Sequence, residues 1–437
     1  QLPGLSSAQL NALSTTQLEG LETRHFAALS SIQIRGLNSS QLANLAASQL
    51  NAMSATLIKA LNTAQLPGLN ATQIEVLTTT QVAALSAAQM ATLTTTQIGS
   101  FESTDVAVLT SAQIANMTSL QLGGLQAEQM TALSSGLFRA LSSAQIKGLG
   151  STLIQALGST QLRTLTTGQV GALSSEQFKG LEANQLQQLS TTQIRALTAT
   201  NVATLTTDQL DGLESSHLAA LSSVQLRAMH STQMQALTTT QLSGLSSLQL
   251  ATLTSSEMAG LNSLQLSSLS YVQLNGLTSA QLSAWHDTQL DGLSAQQLGE
   301  LANTQLAGLS SAIFGSLADT QLGSLSSAKI AKLSTGQMAA LTSSAIYALS
   351  VSQVNGLTSA QLQALTSTQI AALSVTQLDA LSVAQVKAIA TSWNGTTRNF
   401  QTGQDAWMLR GITDTQITLL DAAHDSGSSA MSVLFDV

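Results

Sequence analysis

Two apolar positions, three residues apart, recur every eight residues along almost the whole chain. The first falls at Leu2, Leu10, Leu18, Phe26, Ile34, Leu42 and Leu50 and continues to Val386; the second falls at Leu5, Leu13, Leu21, Leu29 and Leu37 and continues to Ile389. There are 49 consecutive octads, with both positions apolar in each and no insertion or deletion. The unit reads [Ser/Thr]-x-x-Gln-[Leu/Ile/Val]-x-[Ala/Gly]-Leu, as in Ser14 to Leu21 and Ser374 to Leu381. In an unbroken α-helix eight residues turn about 800°, so the apolar stripe would drift about 80° per octad and wind round every face. In a strand the odd spacings would send the two anchors to opposite sides. The chain must therefore break once per octad.

The break is written in side chains. Ser14, Thr15, Thr16 and Gln17 form a capping-box sequence, in which the Ser oxygen takes the N3 amide and the Gln reaches back to the N-cap amide. Pro3 and Pro67 stand directly after the first anchor, where a long helix would lose a hydrogen bond and clash with the preceding turn. With Asn62 as N-cap, Pro67 is the fifth helical residue. The pattern predicts one turn to a turn and a half per octad, partly 3₁₀, followed by a sharp reversal. The residue before the second anchor is mostly Ala or Gly (Ala12, Gly20, Ala28, Gly36, Ala52, Ala60, Gly68, with Asn44 an exception), which predicts that another piece of backbone passes close by.

Two buried anchors stabilise an octad by roughly 4 to 6 kcal/mol, while ordering eight residues costs about 12 kcal/mol. One octad cannot fold alone, so successive coils must stack and share a core. The fold class expected is all-α: a solenoid of very short helical turns over residues 1–389, with a non-repeat C-terminal segment over 390–437 that reads as a cap, with an assembly surface or an export signal at Ser432 to Val437 as the alternatives. Two octads per coil would give a rod on the order of 200 Å long, and three roughly 150 Å. The repeat leaves that choice open.

Composition narrows the function. Only 8% of residues are charged and 3% aromatic, while 43% are hydrophobic, which argues against both an ordinary enzyme and a disordered chain. The 14 basic residues are scattered and the net charge is −8, so no basic stripe exists for nucleic acid. No apolar run approaches the ~20 residues of a membrane span. Cysteine is absent, which removes disulfides and thiolate metal sites. The chain opens at Gln1 in mid-repeat, from which an upstream segment, such as an export signal, is expected.

Few residues invite chemistry. The fourth slot is Gln in 38 of 49 octads, so it reads as the partner of the cap and as a ladder of amides between coils. Departures such as His25, Leu57, Asp105, Leu137, Asn201, Glu257, Ile313, Lys329 and Ala345 read as neutral drift. His25 and His217 occupy the Gln slot, while His230 and His286 occupy the cap slot; nothing gathers them into a metal site. Glu19 with Glu22, and Asp208 with Asp211, stand three apart with no His, Lys or Tyr expected to complete an acid/base pair. No nucleophile elbow or phosphate loop occurs. The expectation is no catalytic residue, no cofactor and no metal. Trp393, Arg398, Phe400, Trp407 and Arg410 concentrate the aromatic and charged residues that the body lacks, and are the candidates for an assembly surface.

Segments such as Leu365 to Leu373 resemble the octad tracts of large secreted or cell-surface repeat proteins of bacteria. That resemblance covers residues 1–389 and implies adhesins, matrix components or filament subunits; it transfers no functional residue. The calcium-binding Gly-Gly-x-Gly-x-Asp nonapeptide is missing. The expected function is an extracellular or cell-surface structural protein that self-assembles, head to tail or laterally, into a fibre or scaffold, with cell-surface or matrix components as further partners. The alternative is a monomeric rod that recognises ice or glycans through its Ser/Thr rows.

Overall fold

The computed structural model describes residues 4–382, 384, 385, 388 and 389. Pro3 and the expected cap at 390–437 lie outside the described residues. Among them the chain forms 46 α-helices, from Ser7–Asn11 to Val375–Asp379, with no strand. From Ser7 to Asp379 each octad makes its own helix, of four to six residues everywhere but at Pro67, as the capping-box pattern predicts.

The reversal between helices is made by two extended residues. Leu85 ends one helix at φ −58°, ψ 133°, and Ser86 begins the next at φ −71°, ψ 159°. The anchor spacing follows from this. The first anchor is the fourth residue of the helix and the second is the extended residue at its end, so both point to one interior. First anchors such as Val82, Leu242 and Leu362 are fully buried, and second anchors such as Leu85, Leu245 and Leu365 nearly so. At Pro67 the missing N–H forbids the α-helical bond, and the turn tightens into the 3₁₀ segment Leu66–Gly68.

The chain divides into two compact units, residues 1–221 and 222–437. Within the first, Ser103–Ala107 packs on Ala127–Ala132, three octads later. In the same unit the Gln41 side chain bonds the carbonyls of Leu10 and Leu13, four octads earlier. The second unit repeats both relations. Ser311–Gly315 packs on Thr335–Ala340, and Gln281 bonds the carbonyls of Leu250 and Leu253.

Within each unit an octad thus touches the third and the fourth octad before it, and one winding takes between three and four octads. The expected two or three per coil is corrected upward. An integral number would stack each octad on one octad below; a fractional number seats it between two, as residues are seated in an α-helix. The small slot is the point of closest approach. A Cβ on Gly36 would lie 2.3 Å from the Ser7 carbonyl oxygen, and one on Gly212 would lie 2.0 Å from that of Ala183. The backbone contact expected from the Ala/Gly pattern is therefore present, between octads three apart.

Candidate functional site

The most organised polar feature is the row of Gln side chains, and it lies inside. A helix of five residues leaves nearly all its amides and carbonyls without partners of its own. One Gln serves both ends. In the octad of Gln113 the Oε1 accepts the Thr110 N–H at 2.7 Å, while the Thr110 Oγ1 accepts the Gln113 N–H at 3.3 Å. The other end of the same amide turns to the previous winding: Nε2 donates to Val82 O at 3.1 Å and Leu85 O at 2.9 Å. The expected ladder of amides is thus a set of bridges from amide to backbone. Where the cap is Ala46, the Gln half persists alone, with Ala46 N–H donating to Gln49 Oε1 at 2.9 Å.

Substitutions in this slot are not uniformly neutral. His217 reproduces both roles: its Nδ1 accepts the Glu214 N–H at 3.1 Å and its Nε2 lies 2.9 Å from Leu189 O, which assigns the Nε2–H tautomer. Asn201, one methylene shorter, keeps the cap role, accepting the Thr198 N–H at 3.1 Å, but in the previous winding its Nδ2 reaches only Leu173 O, at 3.2 Å. The Lys329 ammonium donates to Gly299 O. Asp105 keeps only the acceptor half, taking the Glu102 N–H at 3.1 Å. Its carboxyl group is buried, and burial raises its pKa above the ordinary carboxylate value, against the lowering by the Glu102 N–H and with a further rise from the Glu102 charge.

Other candidate groups stay apart. Among the described residues no three His, Asp or Glu side chains gather into a metal site. His25 does stand beside Glu22, contrary to the expectation of no nearby His, but its Nδ1 accepts the Glu22 main-chain N–H at 3.1 Å and the ring acts as a cap. The Glu22 carboxylate pairs with Arg24 at 2.7 Å, in an exposed pair of little energetic weight. His230 and His286 at the cap slot each give their main-chain N–H to the Gln of their own octad. Trp393, Arg398, Phe400, Trp407 and Arg410 lie outside the described residues.

Two surface features remain. A cleft of about 410 Å³ opens beside the short Asn201 side chain, lined by Ser143, Lys147, Gly171, Leu173 and Ser174 among others. The hydroxyls divide by slot. Those at N-caps accept amide protons, as Ser14 Oγ does from Gln17 at 3.2 Å, whereas Thr80, Thr96, Thr192 and Thr240, two residues after the cap, are exposed. No helix among the described residues is long and apolar enough to cross a membrane.

The architecture is that of a short-helix repeat solenoid. Residues 1–31, 58–87, 98–135, 154–182, 178–215, 210–247 and 330–367 match the ALTTAQ repeat. Together they cover more than half of the chain, which therefore belongs to the ALTTAQ repeat family. No curated protein matches significantly. Among solved structures, one described as "Structure of APUM23-GGAAUUGACGG" is similar at 15% identity over 96% of this chain and 89% of its own, with a TM-score of 0.16. A second, "Structure of APUM23-GGAUUUGACGG", is similar at 15% identity over 99% of this chain and 76% of its own, also with a TM-score of 0.16. Backbones that superpose so poorly carry no argument about this chain.

Proposed function

We propose that this protein is a structural element, a subunit of an extracellular or cell-surface scaffold that assembles through contacts between windings, and that it performs no catalysis. The observation that carries this reading is the completeness of the repeat. Interior polar groups are spent on joining one winding to the next, and among the described residues no loop stands out from the octads to hold a reaction centre. A second copy is the partner we assign, and the scattered basic residues make nucleic acid a poor one.

Electron microscopy of the purified protein over a range of concentrations tests the reading. Filaments or extended assemblies are expected; isolated short particles at every concentration would refute it. The exposed threonines two residues after the cap favour a second reading, a monomeric rod that recognises ice or glycans. Thermal hysteresis and glycan-array binding are its measurements, and negative results in both would remove it.

A further inference from the structure

The residue two after the cap is usually Ser, Thr or Ala, but in the second unit four such positions carry exposed aliphatic side chains: Val224, Leu248, Leu264 and Val272, at 69%, 73%, 69% and 71% exposure. Leu264 stands one octad before Val272, while the other three, Val224, Leu248 and Val272, are 24 residues apart, which is three octads. The helices that bear them, Ser223–Leu226, Ser247–Thr252 and Tyr271–Asn275, pack on one another in that order. Three side chains scattered in the sequence are therefore consecutive on the surface, as one apolar ridge running from winding to winding. Tyr271, partly exposed, adjoins it beside Val272. In the same slot of flanking octads stand the exposed Thr240, Ser256, Leu264 and Ala280, and between Ser222 and Ala280 the only charged residues are Arg227 and Glu257.

We propose that this ridge is a lateral, two-fold pairing surface for a second copy of the chain, with the two copies running antiparallel. The order Val224, Leu248, Val272 reads the same in both directions. A two-fold axis at Leu248 sets Leu248 against Leu248 and each Val224 against the other copy's Val272, as an isologous interface requires. Only a partner with the same spacing between windings engages all three positions at once, and a second copy has that spacing by construction. The uncharged surround brings no like-charge repulsion to the contact. Three aliphatic side chains and their rim bury well under the ~800 Å² per partner of a standard interface, so the pairing is weak, at roughly 0.1 mM or above. It does not depend on contact between solenoid ends, because pairs can form where filaments do not.

Because the chain contains no cysteine, thiol cross-linking reads the arrangement directly. Val224→Cys, Leu248→Cys and Val272→Cys change only exposed side chains, and Ala88→Cys, also exposed and in the same slot of the first unit, is the control. At concentrations near that midpoint, the Leu248→Cys protein is expected to form disulfide dimers at least ten times faster than the control. Val224→Cys and Val272→Cys are expected to link when mixed and to remain monomeric when separate. Links of Val224→Cys to itself and of Val272→Cys to itself would mean a parallel pair and overturn the proposal, as would reactivity equal to the control at all three positions. Filaments by electron microscopy without these links would leave the scaffold reading standing and remove the lateral one.

Discussion

Replacing Gln113 by Leu removes one bridge between windings and leaves the anchors untouched. The side chain is 2% exposed and makes four bonds: its Oε1 accepts the Thr110 N–H and the Thr110 hydroxyl, which can turn to solvent instead, and its Nε2 donates to Val82 O and Leu85 O. Val82 O retains the Leu85 N–H at 3.1 Å, so the groups left without a partner are the Thr110 N–H and the Leu85 carbonyl. An orphaned buried polar group costs about 1–3 kcal/mol, and an added buried Leu returns about 1.5–3 kcal/mol if it packs. A slot shaped for a planar amide between two carbonyls recovers only part of that, so a loss of about 1–3 kcal/mol is expected. Ala, with no such recovery and a cavity in addition, should cost about 3–5 kcal/mol. In a solenoid the loss is local, because each octad answers only to its neighbours. Hydrogen exchange of the full chain is the suitable assay: amides around residues 82–85 and 110–117 should lose protection, while those beyond residue 222 keep theirs. Unchanged exchange at both segments would show that the amide holds nothing, and the account of the Gln row would fail.

Three further outcomes follow from the same geometry. Gly150 is an N-cap at φ −68°, ψ 156° with open space around its Cα, so Gly150→Ser should stabilise by about 0.5–1 kcal/mol in chemical denaturation, by capping Leu153 N–H as Ser54 caps Leu57. Gly212→Val should destabilise by about 1–3 kcal/mol in the same measurement, since even a Cβ would meet the Ala183 backbone. The raised pKa of Asp105 means that the folded chain holds this proton more tightly than the unfolded chain does. Its contribution to stability is then greatest below the ordinary carboxylate range and is lost as pH rises through the folded value, while Asp105→Gln should abolish that component and stabilise the neutral-pH form by about 1–3 kcal/mol. Denaturation midpoints from pH 4 to 7 for both proteins check the sign.

Much of this fold was legible in the residues. The anchors at 3 and 5, the capping box at Ser14–Gln17 and the proline at 67 place the helix, its start and its short length, because all three are local effects. The Ala/Gly slot announced the close approach seen at Gly36 and Gly212. The number of octads per winding was not legible. It depends on which distant octad a side chain meets, and near-identical repeats write the same local signal whether the neighbour is two, three or four octads away. For the same reason the second task of each Gln was hidden, since residue type shows a donor but not an acceptor 28 residues back. His217 and Asn201 retain that donor whereas Leu57 and Leu137 do not, a distinction that depends on knowing where the acceptor lies. The apolar ridge at Val224, Leu248 and Val272 was equally hidden until the three-octad contact aligned it.

Within each unit an octad sits on both the third and the fourth octad before it. Disulfide trapping in the otherwise cysteine-free chain tests it most directly, with one pair for each contact. Ser143→Cys with Gly168→Cys joins octads three apart, where a Cβ on Gly168 would lie 3.6 Å from the Ser143 Oγ, in ordinary contact. Asn11→Cys with Asn38→Cys joins octads four apart, where the two side chains now meet at 3.1 Å. Both pairs should oxidise readily within one folded chain. Closure of the first pair alone would mean three octads per winding, closure of the second alone would mean four, and failure of both would contradict the solenoid described here.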